Sequence, residues 1–117
     1  MTFQDERTQG SRDRRRIDHL AEWLEVTLGA RLVAYAVGIT PAEVARYAHG
    51  ESPASDIEQR LRNLYTATWF IASTDGPGTA HDWLVEPNPT LEGRTPAELL
   101  RGGEEPAPQW FNVARVY

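Results

Sequence analysis

Ile17, Leu20, Ala21, Leu24 and Leu28 recur at helical spacing, which predicts a first helix with one apolar face, ended by Gly29. Leu32, Val33, Ala36 and Val37 mark a short second helix, stopped at Gly38, since glycine suits the left-handed position after a helix. Thr40-Pro41-Ala42-Glu43 then opens a third helix. Thr is a good N-cap, Pro fits the first helical position, and a Glu three residues after the cap can bond back to its amide. This helix is expected to carry Val44, Ala45 and Ala48 inward and to end near Gly50. Ser55-Asp56 opens the longest helix, with Ile57, Leu61, Leu64, Tyr65, Thr68, Ile71 and Ala72 along one stripe.

Thr74-Asp75-Gly76-Pro77-Gly78 reads as a turn. Ala80, Trp83 and Leu84 predict a short helix ended by Pro87, and a second Thr-Pro-Ala-Glu box at residues 95–98 starts another through Leu99 and Leu100. Residues 102–108 form an exposed linker. The last stretch, Trp110 to Tyr117, is apolar and β-branched enough for a strand, for a tail that docks on a partner, or for one that packs on its own core. The expected fold is all-α, with at most a short extended tail.

Composition narrows the class. The 117 residues are 40% hydrophobic and 25% charged, as in a globular chain of one domain or of two small halves sharing a core. The absence of cysteine excludes a disulfide scaffold, a thiol nucleophile and thiolate metal sites, and fits a reducing cytoplasm. No apolar run approaches the roughly 18 residues of a membrane span, and the Arg-rich start lacks the apolar run of a signal peptide. A soluble, cytoplasmic protein with no membrane partner is therefore expected.

Net charge is −5, and all twelve basic residues are Arg. Nine Arg face ten acids in residues 1–62, whereas three face seven in residues 63–117. The acidic second half suits a protein partner better than nucleic acid. The first half can carry a local basic patch, with Arg12, Arg14, Arg15 and Arg16 forming either a frayed tail or an arm that touches phosphates.

Two short helices joined by a Gly-containing turn, at about 31–38 and 41–50, have the form of a helix-turn-helix. Ala42, Glu43, Arg46, Tyr47 and His49 would face outward from its second helix, with Arg46 set to meet a guanine or a phosphate and Tyr47 or His49 a phosphate. One Arg beside one Glu is a sparse reading head, and helix pairs of this shape also serve as scaffold. Catalytic signals are weaker. His19, His49 and His81 are scattered away from metal-ligand spacings, and His81-Asp82 reads as a solvated helix start. No serine sits in a nucleophile elbow, and Gly76-Pro77-Gly78 lacks the Lys of a phosphate loop. The expectation is a non-enzyme without metal, cofactor or small-molecule substrate.

The stretch from Trp83 to Leu100 reads W-L-x-x-P-N-x-x-L-x-G-x-T-P-x-E-L-L. Read physically, it is an ordered helix-loop-helix corner, with Leu91 plugging the core and Gly93 permitting a tight bend. It also resembles the toxin-binding domain of the Xre/MbcA/ParS family of bacterial antitoxins. The preceding chain is similar as well, through the helix pair and the R-L-R-x-L-Y pattern from Arg60 to Tyr65, so the resemblance spans roughly residues 19–103. It implies a cytoplasmic, mostly helical and often dimeric antitoxin. Its partner would be a RES-domain toxin that consumes or transfers from NAD⁺, whose active-site cleft it blocks, and many such proteins also bind their own promoter together with the toxin. Trp83, Pro87, Asn88, Leu91, Gly93, Pro96 and Leu99 match the family's corner and are expected mostly to shape the domain. The chain departs from the pattern at Pro106 and Pro108, where members commonly continue with an amphipathic helix.

On this basis the chain divides into an Arg-rich tail (1–16), a helix-turn-helix region (17–54), a toxin-binding domain (55–104) and a docking tail (105–117). The expected toxin-facing set is Trp83, Asn88, Leu91, Arg94, Trp110, Phe111, Arg115 and Tyr117, and the weaker DNA-facing set is Arg14, Arg15, Arg16, Arg46, Tyr47 and His49. The rival readings are a small DNA-binding regulator that keeps the fold without a toxin, and a scaffold joining two protein partners.

Overall fold

A computed structural model of the chain describes residues 16–111. Helix α1 (Ile17–Leu28) buries Leu20, Ala21, Leu24 and Leu28, the stripe set by its spacing. Gly29 alone separates it from α2 (Ala30–Val37), with φ 89° and its amide donating to the Glu25 carbonyl at 2.8 Å. Helix α2 buries Val33, Ala34, Ala36 and Val37 and ends at a left-handed Gly38. The Ile39 amide reaches back to the Ala34 carbonyl at 3.0 Å, the six-to-one bond of a Schellman ending.

Helix α3 (Pro41–Ala48) starts at the expected capping box. The Glu43 amide donates to Thr40 Oγ1 at 3.1 Å, and the Thr40 amide donates to the Glu43 carboxylate at 2.9 Å. Its inward face differs from expectation. Val44 and Tyr47 are buried, whereas Ala45 and Ala48 are only half-buried. Positions 44 and 47 are one turn apart, so the larger side chain at 47 takes the contact that a small one at 48 would leave weak.

Helix α4 (Ser55–Asp75) is the longest, and it buries Leu61, Leu64, Ala67, Thr68 and Ile71 along one side. The turn expected over residues 74–78 shrinks to a single residue. Gly76, at φ 95°, ends α4, and Pro77 and Gly78 already belong to α5 (Pro77–Val85). Pro77 fits because the first helical position has no intrahelical use for an N–H, and the same holds through the first turn that contains Gly78. A 3₁₀ turn (Pro89–Leu91), α6 (Pro96–Arg101) and a second 3₁₀ turn (Pro108–Phe111) complete the described chain.

Among the described residues there is no named strand, only one isolated antiparallel bridge between Asn88 and Arg94, and the fold is all-α. The core is continuous. Helix α1 packs on α3 and α4, α4 on α5, and α2 on α6, so residues from both halves bury one another. The last turn joins this core through Trp110 and Phe111.

Candidate functional site

The corner between α5 and α6 is organised by one buried side chain, Asn88. Its Oδ1 accepts from the Thr90 amide at 2.9 Å, an Asx turn, and its Nδ2 donates to the Trp110 carbonyl at 3.4 Å. Its own amide donates to the Arg94 carbonyl at 3.0 Å, and its carbonyl accepts from the Leu91 and Gly93 amides at 2.8 and 3.0 Å. Asparagine alone offers this mix of acceptor and donor without charge on a four-atom side chain. The chain closes through two successive left-handed residues, Glu92 (φ 59°) and Gly93 (φ 81°), and restarts at the capping box of Thr95 and Glu98.

An aromatic stack lies beside this corner. Phe111 stacks on Phe70 of α4 with ring centres 4.3 Å apart, and on Trp83 of α5 at 5.4 Å. Trp110 and Phe111 are buried here, at 4% and 7% exposure. Of the two roles open to them, anchors presented to a partner or packing on their own core, these two residues take the second here: the flat faces of Phe70 and Trp83 offer Phe111 an apolar site within its own chain, and offset stacking adds to the area removed from water. Leu91 and Pro96 are buried as well.

Of the residues expected to face a toxin, Trp83, Asn88 and Leu91 lie inside, where they shape the corner, and Arg94 is exposed beside it. Arg115 and Tyr117 lie outside the described residues. The buried Trp83 Nε1 and Thr68 Oγ1 have no hydrogen-bond partner among the described residues. Phe70, at the exposed end of the stack, was not singled out from the sequence, because its partner is forty-one positions away.

Asn88→Ala is expected to cost about 1–3 kcal/mol, since it orphans the Thr90 amide and the Trp110 carbonyl. Asn88→Asp retains the acceptor but buries a charge that cannot donate to Trp110. Burial raises the carboxyl's folded pKa above its unfolded value, so the penalty is full at neutral pH and disappears as the pH falls below the unfolded pKa, near about 3.9. Urea titrations at several pH values check both variants, and the Asp variant should gain stability relative to wild type on acidification.

The helix pair α2–α3 carries the DNA-facing expectations, and the structure revises them. Tyr47 is 7% exposed and its ring packs in the core, so it does not stand out from the helix as expected. Its spacing from Val44 was the signal. Arg46 is exposed, but its Nε donates to Glu51 at 3.1 Å and its guanidinium lies 3.9 Å from Glu43. His49 Nδ1 donates to the Ala45 carbonyl at 2.7 Å, closing the end of α3. Arg16 pairs with Asp18 at 2.9 Å. Desolvation pushes the Asp18 carboxyl up, but the bonds from Arg16 and the His19 amide outweigh it and hold the group below its ordinary value. Arg14 and Arg15 lie outside the described residues.

Two guanidiniums that sequence reasoning passed over join the halves. Arg60 Nη1 donates to the carbonyls of Val37 and Arg101 at 3.4 and 3.0 Å, and Arg101 Nη1 donates to the Tyr35 carbonyl at 2.7 Å. The sequence did hold a signal, because Arg60 falls in register with Leu64, Ala67 and Ile71 on the inward stripe of α4.

Among the described residues, no group of three or more His, Asp or Glu could hold a metal, and no helix is long and apolar enough to cross a membrane. His81 and Asp82 stand 3.5 Å apart on an exposed surface.

Residues 69–112 match the family model described as the antitoxin Xre/MbcA/ParS C-terminal toxin-binding domain. The matched segment runs from the aromatic end of α4, through α5, the Asn88 corner and α6, to the turn that holds Trp110 and Phe111. No curated protein and no solved structure matches the chain significantly.

Proposed function

With that match as premise, we propose that the chain is an antitoxin that binds a toxin protein through its C-terminal half, supplying no chemistry of its own. The observation that carries the reading is the coincidence of the family match with a built unit: one Asn-centred corner, one aromatic stack and one capped helix, all inside residues 69–112. The proposed partner is a RES-domain toxin that consumes NAD⁺, and the proposed action is occlusion of its active-site cleft. The acid excess after residue 63 suits this, because a cleft that attracts a dinucleotide's phosphates must be basic, and complementary charge speeds encounter.

Since Trp110 and Phe111 are held in the core, the part of the tail left to enter a cleft is Asn112 to Tyr117, with Arg115 and Tyr117 as its contacts. Arg94, exposed on the corner, is a further contact in this reading. Homodimer formation, residence in the cytoplasm and binding of the complex to its own promoter belong to this reading as well. In that promoter contact Arg46 supplies the cation of α3, in competition with Glu43 and Glu51.

Growth rescue tests the reading. The chain is co-expressed with the product of the adjacent gene, and recovery from arrest together with co-purification of the pair is the expected result. Arrest that persists with both proteins soluble and separate contradicts it.

A further inference from the structure

Two helix ends that serve different halves of the molecule meet at one side chain. Val37 and Arg101 are the last residues of α2 and α6, and both of their carbonyls accept from Arg60 Nη1. Carbonyls at a helix C-terminus lack intrahelical partners and carry the negative end of the helix dipole, so two such ends repel unless a cation stands between them. Among the described residues, the hydrogen-bond partners of Arg60 are these carbonyls, not carboxylates.

The glycine that follows α2 makes room for it: a methyl group on Gly38 would stand 3.3 Å from Arg60 Nη1, tighter than an ordinary contact. Arg101 adds a second tie, bonding the Tyr35 carbonyl at 2.7 Å with its guanidinium 4.9 Å from the centre of the Tyr35 ring.

Each helix end is also the root of a functional segment. From Val37 the chain passes through Gly38-Ile39-Thr40 into α3, the exposed helix of the pair. From Arg101 it passes through Gly102 to Ala107 into the Trp110-Phe111 turn, after which the proposed toxin-binding tail begins.

We propose that Arg60 couples these two segments, so that a partner seated on the C-terminal one alters the freedom of the turn that sets α3. A partner that shifts the Gly102–Phe111 segment moves the Arg101 carbonyl, weakens the shared guanidinium contact and loosens the Val37–Gly38 end. By linkage, a ligand on α3 acts on the C-terminal segment by the same factor. The identity of the C-terminal partner rests on the antitoxin reading, but the coupling belongs to the free chain and is tested there.

The test is a hydrogen-exchange cycle on the full-length protein without partner. Phe111→Ala perturbs the C-terminal segment. The readout is exchange at the Gly38 and Ile39 amides, which both donate to the Ala34 carbonyl, measured against the Leu64 amide as reporter of whole-chain opening. With Arg60 in place, the local exchange at Gly38 and Ile39, taken as the rate in excess of the whole-chain rate at Leu64, should rise about fivefold or more, and in the Arg60→Ala background less than about twofold. An equal rise in both backgrounds assigns the coupling to apolar packing of α2 on α6 and overturns the proposal, as does no rise with Arg60 present. If Arg60→Ala does not fold, Arg60→Lys, which keeps the charge and loses the fork, takes its place with the same expected contrast.

Discussion

Phe111→Ala lowers the thermal midpoint by roughly 10–15 °C, the largest effect expected from any single truncation at the C-terminal end. Phe111 stacks against both Phe70 and Trp83 and is almost fully enclosed, so its removal forfeits the transfer free energy of a buried aromatic and leaves a cavity. Such truncations cost about 3–5 kcal/mol, a large share of the ~5–15 kcal/mol that holds a domain of this size. Differential scanning calorimetry checks the size of the effect, and tryptophan emission checks its place. Trp83 loses its stacked neighbour, so the emission should move to the red before the helical signal falls. An unchanged midpoint would mean that Phe111 does not occupy the site between α4 and α5.

The second large effect separates folding from binding. A chain ended after Phe111 keeps the whole described core and loses Arg115 and Tyr117. Its affinity for the toxin should fall by about a hundredfold or more, since a buried aromatic and an Arg at an interface centre each carry on the order of 2 kcal/mol. A chain ended after Gly103 also loses the Trp110-Phe111 turn, and with it the bond from Asn88 and the double stack, so it should lose stability as well as affinity. Calorimetric titration with purified toxin, paired with helical circular dichroism, distinguishes the two deletions. Full affinity in the chain ended after Phe111 would place the toxin contact on the corner itself, with Arg94 the first residue to examine.

The helices were readable in the sequence because their information is local. The stripe in α1, the left-handed Gly38 and the two Thr-Pro-Ala-Glu boxes each act within one or two turns, and the structure places the elements there. The corner was readable for the same reason: Asn88, Leu91, Gly93 and Thr95 interact across at most seven positions. What escaped was long-range. Phe111 and Trp110 look like a free apolar tail until Phe70 and Trp83 are brought beside them.

The helix-turn-helix form places Tyr47 on the outward face of its second helix, but its register with Val44 turns it inward. Arg60 enters the sequence only as the start of the R-L-R-x-L-Y pattern. Only the meeting of two helix ends, distant in sequence, shows what its guanidinium holds. The αL conformation of Glu92 had no signal in residue type, since the bend was expected at Gly93 alone.

The central claim is stoichiometric occlusion of a toxin by the C-terminal half of this chain. The most direct measurement is NAD⁺ consumption by the proposed RES-domain partner, titrated with the full-length protein. The account predicts a linear fall to no turnover at a fixed molar ratio of the two proteins, with the chain ended after Phe111 failing to inhibit at that ratio. Unaltered NAD⁺ turnover in excess full-length protein, with the protein folded, would contradict it.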